Sequence, residues 1–348
     1  MTSTRPTFVV VGGGIVGMVS ALAASEFGTV TILDPSPGLG ATYAAAGMLS
    51  PGAELLAGEV HALPDAIASH AQWREFAQSI GLSNSDFAPG VGSLLTGLTR
   101  GDLAEVSRLT TAATTGGVAL RELEREKDGD YFSGLSPRFA KAIQFPEDSF
   151  VDVDLLMMRL RSLLEERNVI FNENEVKFIE SESASIETMV GDRLTFTRGL
   201  VCTGAAMDLV SQSASQTVRS IRGVTLRLKR RGQFEPRMVR AFIDGRMIYT
   251  VERSDGSVVV GATSDESNER YVDTLAVAEL LRLALLLIPS LDEAEFIEAR
   301  SGLRPVGPSG QPFLETIGAN WGWHSGYYRH GVLMAPLAYQ RAKEYWND

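Results

Sequence analysis

Cysteine is nearly absent from this chain: Cys202 is the only one among 348 residues. A single thiol excludes an internal disulfide and any metal site that needs several cysteines. Histidine is also scarce, and its positions show none of the spacings of metal ligands. We therefore predict no metal centre. The four histidines are His61, His70, His324 and His330.

Long apolar runs are missing as well. No stretch approaches the roughly 18 consecutive apolar residues that a membrane span requires. The polar residues 1–7 and the short apolar run 8–11 do not form a secretory signal peptide, because glycines follow at once. We predict a cytoplasmic protein in a reducing compartment, without a membrane partner.

Basic side chains are fewer than acidic ones, 32 against 43, which gives a net charge of -11. This balance excludes a general nucleic-acid-binding protein, because such a protein needs a basic surface to displace counterions. The hydrophobic share of 44% and the charged share of 22% are typical of a soluble globular protein. The length suits about two domains of roughly 150 residues each.

The N-terminal segment predicts a strand, a helix and a second strand. Residues 8–11 are an apolar, β-branched run of the kind found in buried parallel strands. The alanine-rich segment 16–27 has the composition of a helix packed on a sheet, and Gly28 is a helix stop. Residues 30–33 are the second predicted strand, so the whole segment is one βαβ unit.

Three glycines with dinucleotide-binding spacing, Gly12, Gly14 and Gly17, connect the first strand to the helix. The first permits a sharp turn, the second lets the backbone approach a pyrophosphate, and the third lets helix and strand pack closely. Asp34 ends the second strand, where a carboxylate accepts from ribose hydroxyls and disfavours NADP. The motif alone leaves FAD and NAD open, and a glycine-rich turn of an unrelated α/β protein is the alternative.

Further along the chain, helical and strand patterns follow one another. Residues 153–167 have helical spacing, with Asp152 as the predicted N-cap. Residues 184–190 and 193–197 are a predicted hairpin. The other predicted helices are 63–80, 273–287 and 331–346, and the predicted antiparallel strands are 225–228, 239–243, 247–251 and 258–261.

Several segments stand in a characteristic order along the chain. They are residues 9–17 (VVVGGGIVG), 42–49 (TYAAAGML), 203–205 (TGA), 258–263 (VVVGAT), 302–305 (GLRP) and 326–336 (GYYRHGVLMAP). Together they resemble the FAD-dependent D-amino-acid oxidase family, and within it the glycine oxidases of thiamine biosynthesis. The segments span nearly the whole sequence, and their joint order is more specific than any one of them.

The resemblance implies non-covalent FAD as the cofactor. The βαβ unit would hold its ADP half, Ala46, Gly47 and Met48 would lie along the isoalloxazine ring, and Val176 would contact the adenosine side. A helix beginning near Gly331 would point its N-terminus at flavin N1 and C2=O, where negative charge grows on reduction. The implied cofactor-binding residues are Gly12, Gly14, Ile15, Val16, Gly17, Asp34, Thr42, Ala46, Gly47, Met48, Val176, Thr203, Gly204, Arg329, His330, Gly331, Val332 and Leu333.

The implied fold class is α/β: a Rossmann-like FAD-binding domain with a discontinuous α+β substrate domain built on an antiparallel sheet. We expect residues 1–80, 140–218 and 300–348 to form the FAD-binding domain. Residues 81–139 and 219–299 are expected to form the substrate domain.

Three residues are the expected catalytic residues. Arg304 lies in an apolar, glycine-bounded turn where a buried guanidinium needs an anionic partner, and it matches the family's arginine for the substrate carboxylate. Tyr249 matches the family's tyrosine for the same carboxylate, and Arg329 matches an arginine near the flavin and the substrate amine. The alternative for Arg304 is a structural ion pair with Glu298 or Glu315.

One position departs from the glycine oxidase pattern, because Met247 stands where that pattern has a histidine facing the substrate. A thioether is a weak acceptor and donates no hydrogen bond. The departure puts glycine itself in doubt and admits a more apolar small amine or D-amino acid.

The expected reaction is oxidative deamination of glycine or another small amino acid by hydride transfer to flavin N5. It yields a 2-oxo acid, ammonia and hydrogen peroxide. Molecular oxygen or another electron acceptor is the second partner, and a homo-oligomer stays open. The alternatives are a dehydrogenase that uses a non-oxygen acceptor and an oxidase of a secondary amine such as sarcosine. A flavin-binding subunit without turnover is a more remote alternative.

Overall fold

The computed structural model describes residues 5–54, 60–83, 86–180, 182–209, 217–232 and 234–348. Its strands are β1 (Thr7–Val11), β2 (Thr29–Leu33), β3 (Met48–Leu49), β4 (Phe87–Ala88), β5 (Ser93–Gly97), β6 (Arg121–Glu124), β7 (Lys141–Phe145), β8 (Ser149–Val151), β9 (Ile170–Asn172), β10 (Val176–Glu180), β11 (Ser185–Thr188), β12 (Arg193–Thr195), β13 (Arg198–Val201), β14 (Arg219–Lys229), β15 (Arg237–Ile243), β16 (Arg246–Glu252), β17 (Ser257–Gly261), β18 (Asp265–Glu266), β19 (Glu295–Val306), β20 (Phe313–Ile317) and β21 (Trp321–Ser325). Its α-helices are α1 (Ile15–Ala24), α2 (Ala41–Ala44), α3 (Leu63–Ser79), α4 (Arg100–Thr115), α5 (Val153–Glu166), α6 (Thr274–Leu287) and α7 (Ala335–Asn347).

A six-stranded sheet of the described chain, in the order β20-β21-β13-β1-β2-β9, carries the N-terminal βαβ unit. Strand β1 pairs in parallel with both β2 and β13. Helix α1 packs against this sheet together with α5 and α7. The predicted βαβ unit is confirmed, but the helix ends at Ala24 and not at residue 27. A tighter turn follows it, which Phe27 N–H closes on the carbonyl of Ala24 at 2.9 Å.

A sheet of nine strands forms the second layer of the described chain. Its order is β18-β14-β17-β16-β15-β5-β7-β6, with β19 paired to β14. Strands β14 to β17 pair antiparallel, as predicted. Ile248 of β16 packs into the apolar core that includes α6. Because side chains alternate along a strand, its neighbours Met247 and Tyr249 point to the opposite face.

Two local predictions from the middle of the chain are confirmed. Asp152 caps α5, since its carboxylate accepts from the N–H of Asp154 at 3.0 Å and of Leu155 at 3.3 Å. Strands β11 and β12 form the predicted antiparallel hairpin. In the described ranges, no helix combines the length and the apolar character needed to cross a bilayer.

The last helix begins later than the sequence predicts. The prediction was 331–346, whereas α7 runs from Ala335 to Asn347. Pro336 lies in its first turn. Proline has no N–H to donate to the carbonyl four residues earlier, so a regular helix cannot run through it from Gly331. Residues 331–334 form turns instead.

The nine-stranded sheet contains strands from both of the domains that the sequence predicts. Strand β7 pairs with β5 and β6, and β19, which extends to Val306, pairs with β14. Both strands therefore belong to the nine-stranded sheet, although residues 140–218 and 300–348 are the segments expected in the FAD-binding domain. The division into domains stays a prediction.

Candidate functional site

A cavity of about 620 Å³ lies between the two large sheets, and we call it the central cavity. Its walls come from the glycine turn after β1, the segment 40–48, strands β16 and β19, and the turn between β21 and α7. The segments that the sequence singled out thus meet at one place. All the expected site residues line this cavity except Gly17, His330 and Leu333.

The three exceptions lie behind the cavity wall. A side chain at Gly17 would come under 3.0 Å from the carbonyl oxygen of Gly12, which itself has a φ of 109°. This close approach is the tight helix–strand packing that the motif predicts. His330 and Leu333 are buried, and the carbonyl of Leu333 accepts from Trp73 Nε1 at 2.7 Å.

The first turn of α1 leaves backbone open to the central cavity. Thr42 Oγ1 accepts from Ile15 N–H at 3.1 Å, and Asp34 Oδ2 accepts from Gly13 N–H at 2.6 Å. A side chain on Gly14 would meet only the Thr42 hydroxyl, at 3.4 Å. Because each carboxylate oxygen has two lone pairs, Asp34 keeps acceptor capacity for a ribose. The turn therefore fits a pyrophosphate and its adjoining ribose.

The segment 43–45 comprises the end of α2 and the residue after it. It is attached to the nine-stranded sheet through its carbonyl groups, and we call it the anchored loop. The carbonyls of residues 43, 44 and 45 accept from Arg300 at 3.1 Å, Thr225 at 2.9 Å and Arg227 at 3.0 Å. The guanidinium of Arg300 also stacks on the Tyr43 ring at 4.1 Å. These contacts hold the segment that leads into β3 at a defined distance from β14 and β19.

The residues after the anchored loop give the cavity an apolar wall. Ala46 and Met48 are buried, and Gly47 has a φ of 81°. Val151 N–H donates to the carbonyl of Gly47 at 2.9 Å, and any side chain on Gly47 would come under 3.0 Å from the carbonyl oxygen of Val151. The missing side chain of Gly47 thus allows close packing against β8, and the segment 46–48 lines the cavity with apolar residues.

The turn between β21 and α7 faces the cavity with backbone donors. Among the described residues, no backbone oxygen accepts from the N–H groups of Gly331 and Val332. Tyr328 N–H donates to the carbonyl of Pro305 at 2.6 Å, which ties the turn to β19. Although the helix starts only at Ala335, the turn itself offers the donors that an anionic ligand group needs.

Arg304 lies within strand β19 and not in the turn that the sequence predicted, and it lines the central cavity. Its Nη1 donates to the carbonyl of Thr263 at 3.0 Å, and the absent side chain of Gly223 on β14 leaves room for the guanidinium. Within the described residues no carboxylate pairs with it, so the alternative ion pair with Glu298 or Glu315 is not formed. Burial lowers the pKa of Arg304, but an arginine stays charged at neutral pH.

Tyr249 lies across Gly261 of the neighbouring strand, where any side chain would collide with the phenol. Its hydroxyl faces the cavity and makes no hydrogen bond within the part of the chain that the structure describes. Burial raises the pKa of Tyr249, so the hydroxyl is a neutral donor at physiological pH. Arg329 lines the same cavity, and its guanidinium donates to the main-chain carbonyl of Glu54.

The sequence prediction missed a buried pair of charged residues in the cavity wall, Glu54 and Arg240. Arg240 donates from Nη2 to Glu54 Oε1 and from Nη1 to the carbonyl of Ala53, both at 2.5 Å. The side chains of Arg240 and Glu54 are only 1% and 6% exposed. The available signal was a lone arginine between Val239 and Ala241 in a strand of buried residues.

Asp148 is a buried carboxyl group that interacts electrostatically with Arg240 and Glu54. Burial raises its pKa to about 7 from an ordinary 3.8, although Ser93 Oγ donates to Asp148 Oδ2 at 2.6 Å. The folded state therefore binds this proton more tightly than the unfolded state. The resulting stabilisation is complete below pH 4 and is lost as the pH rises to about 7.

We expect Asp148→Asn to remove this pH dependence. In the natural chain, Asp148 should lower the free energy of unfolding by up to roughly 4 kcal/mol between pH 4 and pH 7, at about 1.4 kcal/mol per pKa unit. Urea denaturation across this pH range measures the effect. Asp130→Asn, at an exposed position, should keep the original slope. An unchanged slope in Asp148→Asn would show that this group does not titrate in that range.

The glycine turn of a Rossmann-type βαβ unit and an antiparallel sheet line the same cavity. This arrangement is typical of an oxidoreductase that uses a dinucleotide cofactor. The chain belongs to the family of FAD-dependent oxidoreductases, because the model of that family (DAO, FAD dependent oxidoreductase) matches residues 7–341. It is therefore an FAD-dependent enzyme. The open backbone at Gly14, the free acceptor capacity of Asp34 and the donors at Gly331 and Val332 fit this cofactor.

Curated relatives carry names from glycine oxidation and thiamine biosynthesis. A glycine oxidase of Pseudomonas putida is 27% identical over 346 residues, which cover 95% of this chain and 92% of that protein. A bifunctional ThiO/ThiG protein of Trichormus variabilis is 27% identical over 349 residues, 94% of this chain and 51% of that protein. The chain thus spans about half the length of the bifunctional relatives.

Solved structures share the fold across nearly the whole chain. The crystal structure of glycine oxidase from Geobacillus kaustophilus has a TM-score of 0.85 at 24% identity and covers 97% of this chain and 93% of its own. Iminodiacetate oxidase from Chelativorans has a TM-score of 0.82 at 22% identity, with 96% and 93% covered. At these identities the likeness establishes the fold, and the substrate must be argued from the site.

Proposed function

We propose that this enzyme oxidises the amine of a small amino acid, either glycine or one with a small uncharged side chain. The observation that carries the proposal is the meeting of Arg304 and Tyr249 at the cavity face of the nine-stranded sheet. A guanidinium without a carboxylate partner in the described chain and a neutral phenol are matched donors for one carboxylate. Loss of the hydride from Cα and of a proton from the amine leaves an imino acid, which water hydrolyses to a 2-oxo acid and ammonia. With oxygen as the acceptor, the other product is hydrogen peroxide.

The residues of the chain contribute orientation and charge. Arg304 binds the substrate carboxylate through two N–H groups, and Tyr249 donates a third hydrogen bond to it. The main-chain carbonyl of Arg329 accepts from the substrate amine. FAD, when bound, accepts the hydride from the substrate Cα. Because these contacts fix Cα in one position, the main contribution of the protein is the geometry of approach.

On the cofactor side, we assign the ADP half to the glycine turn, Asp34 and Val176. Ala46, Gly47 and Met48 would lie along the isoalloxazine ring. The turn at Gly331 and Val332 would donate to the part of the flavin where negative charge grows on reduction. The support is that each of these residues lines the central cavity. This cofactor side corresponds to the FAD-binding domain proposed from the sequence.

Met247 makes the site more apolar than a histidine would. Its sulfur lies 3.8 Å from Nη1 of Arg240, and the side chain is partly buried. A thioether favours contact with a methyl group over a hydrogen bond. We therefore include small D-amino acids with an apolar side chain, and secondary amines such as sarcosine, beside glycine in the substrate class.

The test uses the purified holoenzyme under anaerobic conditions. Glycine, sarcosine, D-alanine and D-proline are added one at a time, and loss of the visible flavin absorbance is followed. At least one of them should bleach the flavin within seconds to minutes. A flavin that none of them reduces, while dithionite reduces it fully, would contradict the proposed function.

A second measurement identifies the electron acceptor. With the amino acid that bleaches the flavin, hydrogen peroxide is measured in air and compared with turnover of an artificial dye. One peroxide per substrate oxidised supports an oxidase. Fast dye reduction with little peroxide supports the alternative, a dehydrogenase with another acceptor.

A further inference from the structure

Glu54 and Arg240 form an ion pair in the wall that also carries Tyr249 and Arg304. Arg240 stands directly opposite Tyr249 in the pairing of β15 with β16. Its guanidinium carbon lies 5.6 Å from the centroid of the Tyr249 ring. The pair therefore adjoins the place that the proposed function gives to the substrate carboxylate.

The guanidinium of Arg240 binds oxygen atoms of the protein through both of its Nη atoms. Nη2 donates to Glu54 and Nη1 to the carbonyl of Ala53, each at 2.5 Å. Its Nε is buried and meets no acceptor among the described residues. Arg304 differs, because its one hydrogen bond there is to the carbonyl of Thr263. Of these two arginines, Arg304 has no carboxylate partner among the described residues, whereas the charge of Arg240 is paired with that of Glu54.

The carboxyl group of Glu54 is ionised in this setting. Burial is the largest single influence and opposes its ionisation, but Arg240, His330 and Arg329 together outweigh burial and lower the pKa of Glu54 below its ordinary value. His330 adds to the effect, with Nδ1 at 3.4 Å from Glu54 Oε2. A second negative group on a ligand would meet this fixed negative charge and a guanidinium whose charge is already paired with Glu54. Its lost hydration would not be replaced.

We propose that Glu54 determines the substrate selectivity of this site. Its ion pair with Arg240 excludes amines that carry a second carboxylate and leaves the cavity to amino acids with uncharged side chains. The inference rests on the proposed function, because it takes Arg304 as the partner of the substrate carboxylate. Selectivity of this kind comes from repulsion of the competing amine that carries a second carboxylate. It needs no added contact with the substrate.

The test compares two unreactive ligands of the FAD-loaded protein, acetate and malonate, each titrated by its effect on the flavin absorbance. In the natural protein, malonate should bind at least about tenfold more weakly than acetate. In Glu54→Gln the ratio of the malonate Kd to the acetate Kd should fall by about tenfold or more. The reason is that Nη2 of Arg240 loses its acceptor and the charge of Arg240 is no longer paired. Equal affinity for the two ligands in the natural protein overturns the inference without any variant.

Glu252→Gln is the matched control. Glu252 is a buried carboxylate on the same strand as Tyr249 and pairs with Arg230 at 2.5 Å and Arg237 at 2.8 Å, but it does not line the cavity. The ratio of acetate affinity to malonate affinity in Glu252→Gln should equal that of the natural protein. The double variant Glu54→Gln with Arg240→Met lacks both charges and should again disfavour malonate. A shift in the control as large as that in Glu54→Gln overturns the inference.

The two proposals fail in different ways. If no amino acid bleaches the flavin while acetate and malonate behave as expected, the proposed function is wrong and the charge selectivity of the cavity stands. If glycine bleaches the flavin and Glu54→Gln leaves the ligand ratio unchanged, only the selectivity inference is wrong.

Discussion

Arg304→Ala should lower kcat/KM for the best amino acid about 30- to 5,000-fold. This range corresponds to about 2–5 kcal/mol, the loss expected when one partner of a buried, charge-assisted contact is removed. Both kcat and KM should change, since the carboxylate contact both binds the substrate and places its Cα. The kcat/KM of Arg304→Lys should lie between the values of the natural enzyme and of Arg304→Ala, because a point charge cannot make the paired hydrogen bonds of a guanidinium. Stopped-flow reduction of the flavin measures the effect.

Arg222→Ala is the matched control for this experiment. Arg222 is a buried arginine on β14 that stacks on Tyr271 at 3.8 Å and does not line the central cavity. Its removal should leave kcat/KM unchanged once the flavin content is normalised. If Arg304→Ala retained the full kcat/KM with a normal flavin content, the assignment of the substrate carboxylate would be wrong.

Gly17→Ala should abolish FAD retention and destabilise the fold by about 3 kcal/mol or more. The new methyl group would lie under 3.0 Å from the backbone of Gly12, and neither backbone can move without opening the turn between β1 and α1. The flavin-to-protein ratio after gel filtration and the midpoint of thermal unfolding measure the two effects.

Gly14→Ala separates cofactor binding from folding. Its methyl group would meet only the Thr42 hydroxyl at 3.4 Å, so the apoprotein should unfold at nearly the natural temperature while FAD binds more weakly. Gly129→Ala is the neutral control, because nothing lies within 4 Å of its added methyl group. A Gly17→Ala protein with full flavin content and an unchanged unfolding midpoint would contradict the packing argument.

The sequence predicted those parts of the fold that depend on residues close together along the chain. The βαβ unit follows from an apolar run, three spaced glycines and one acid, all within a short stretch of chain. The last helix begins later than its apolar pattern predicts because of one local feature. Pro336 cannot donate to the carbonyl at position 332, so the helix begins only at Ala335 although the apolar pattern begins at Gly331.

The parts of the site that escaped prediction depend on contacts between distant positions. Arg240 and Glu54 are 186 residues apart in sequence, and their pairing arises only when β15 packs beside the turn at Ala53. The raised pKa of Asp148 likewise follows from burial in the folded chain and from no motif. The expected roles of Arg304 and Tyr249 came from family resemblance, because an arginine in a turn or a tyrosine on a strand is common in structural positions.

The anchored loop gives the enzyme a route of communication between its two ligands. Arg300, which holds this loop, and Arg304 lie on one strand four positions apart, so their side chains extend from the same side of β19. If the carboxylate and the flavin bind as proposed, a carboxylate ligand that immobilises Arg304 would also steady the strand that holds the anchored loop. Thermodynamic reciprocity then requires that acetate strengthen FAD binding by the same free energy with which FAD strengthens acetate binding.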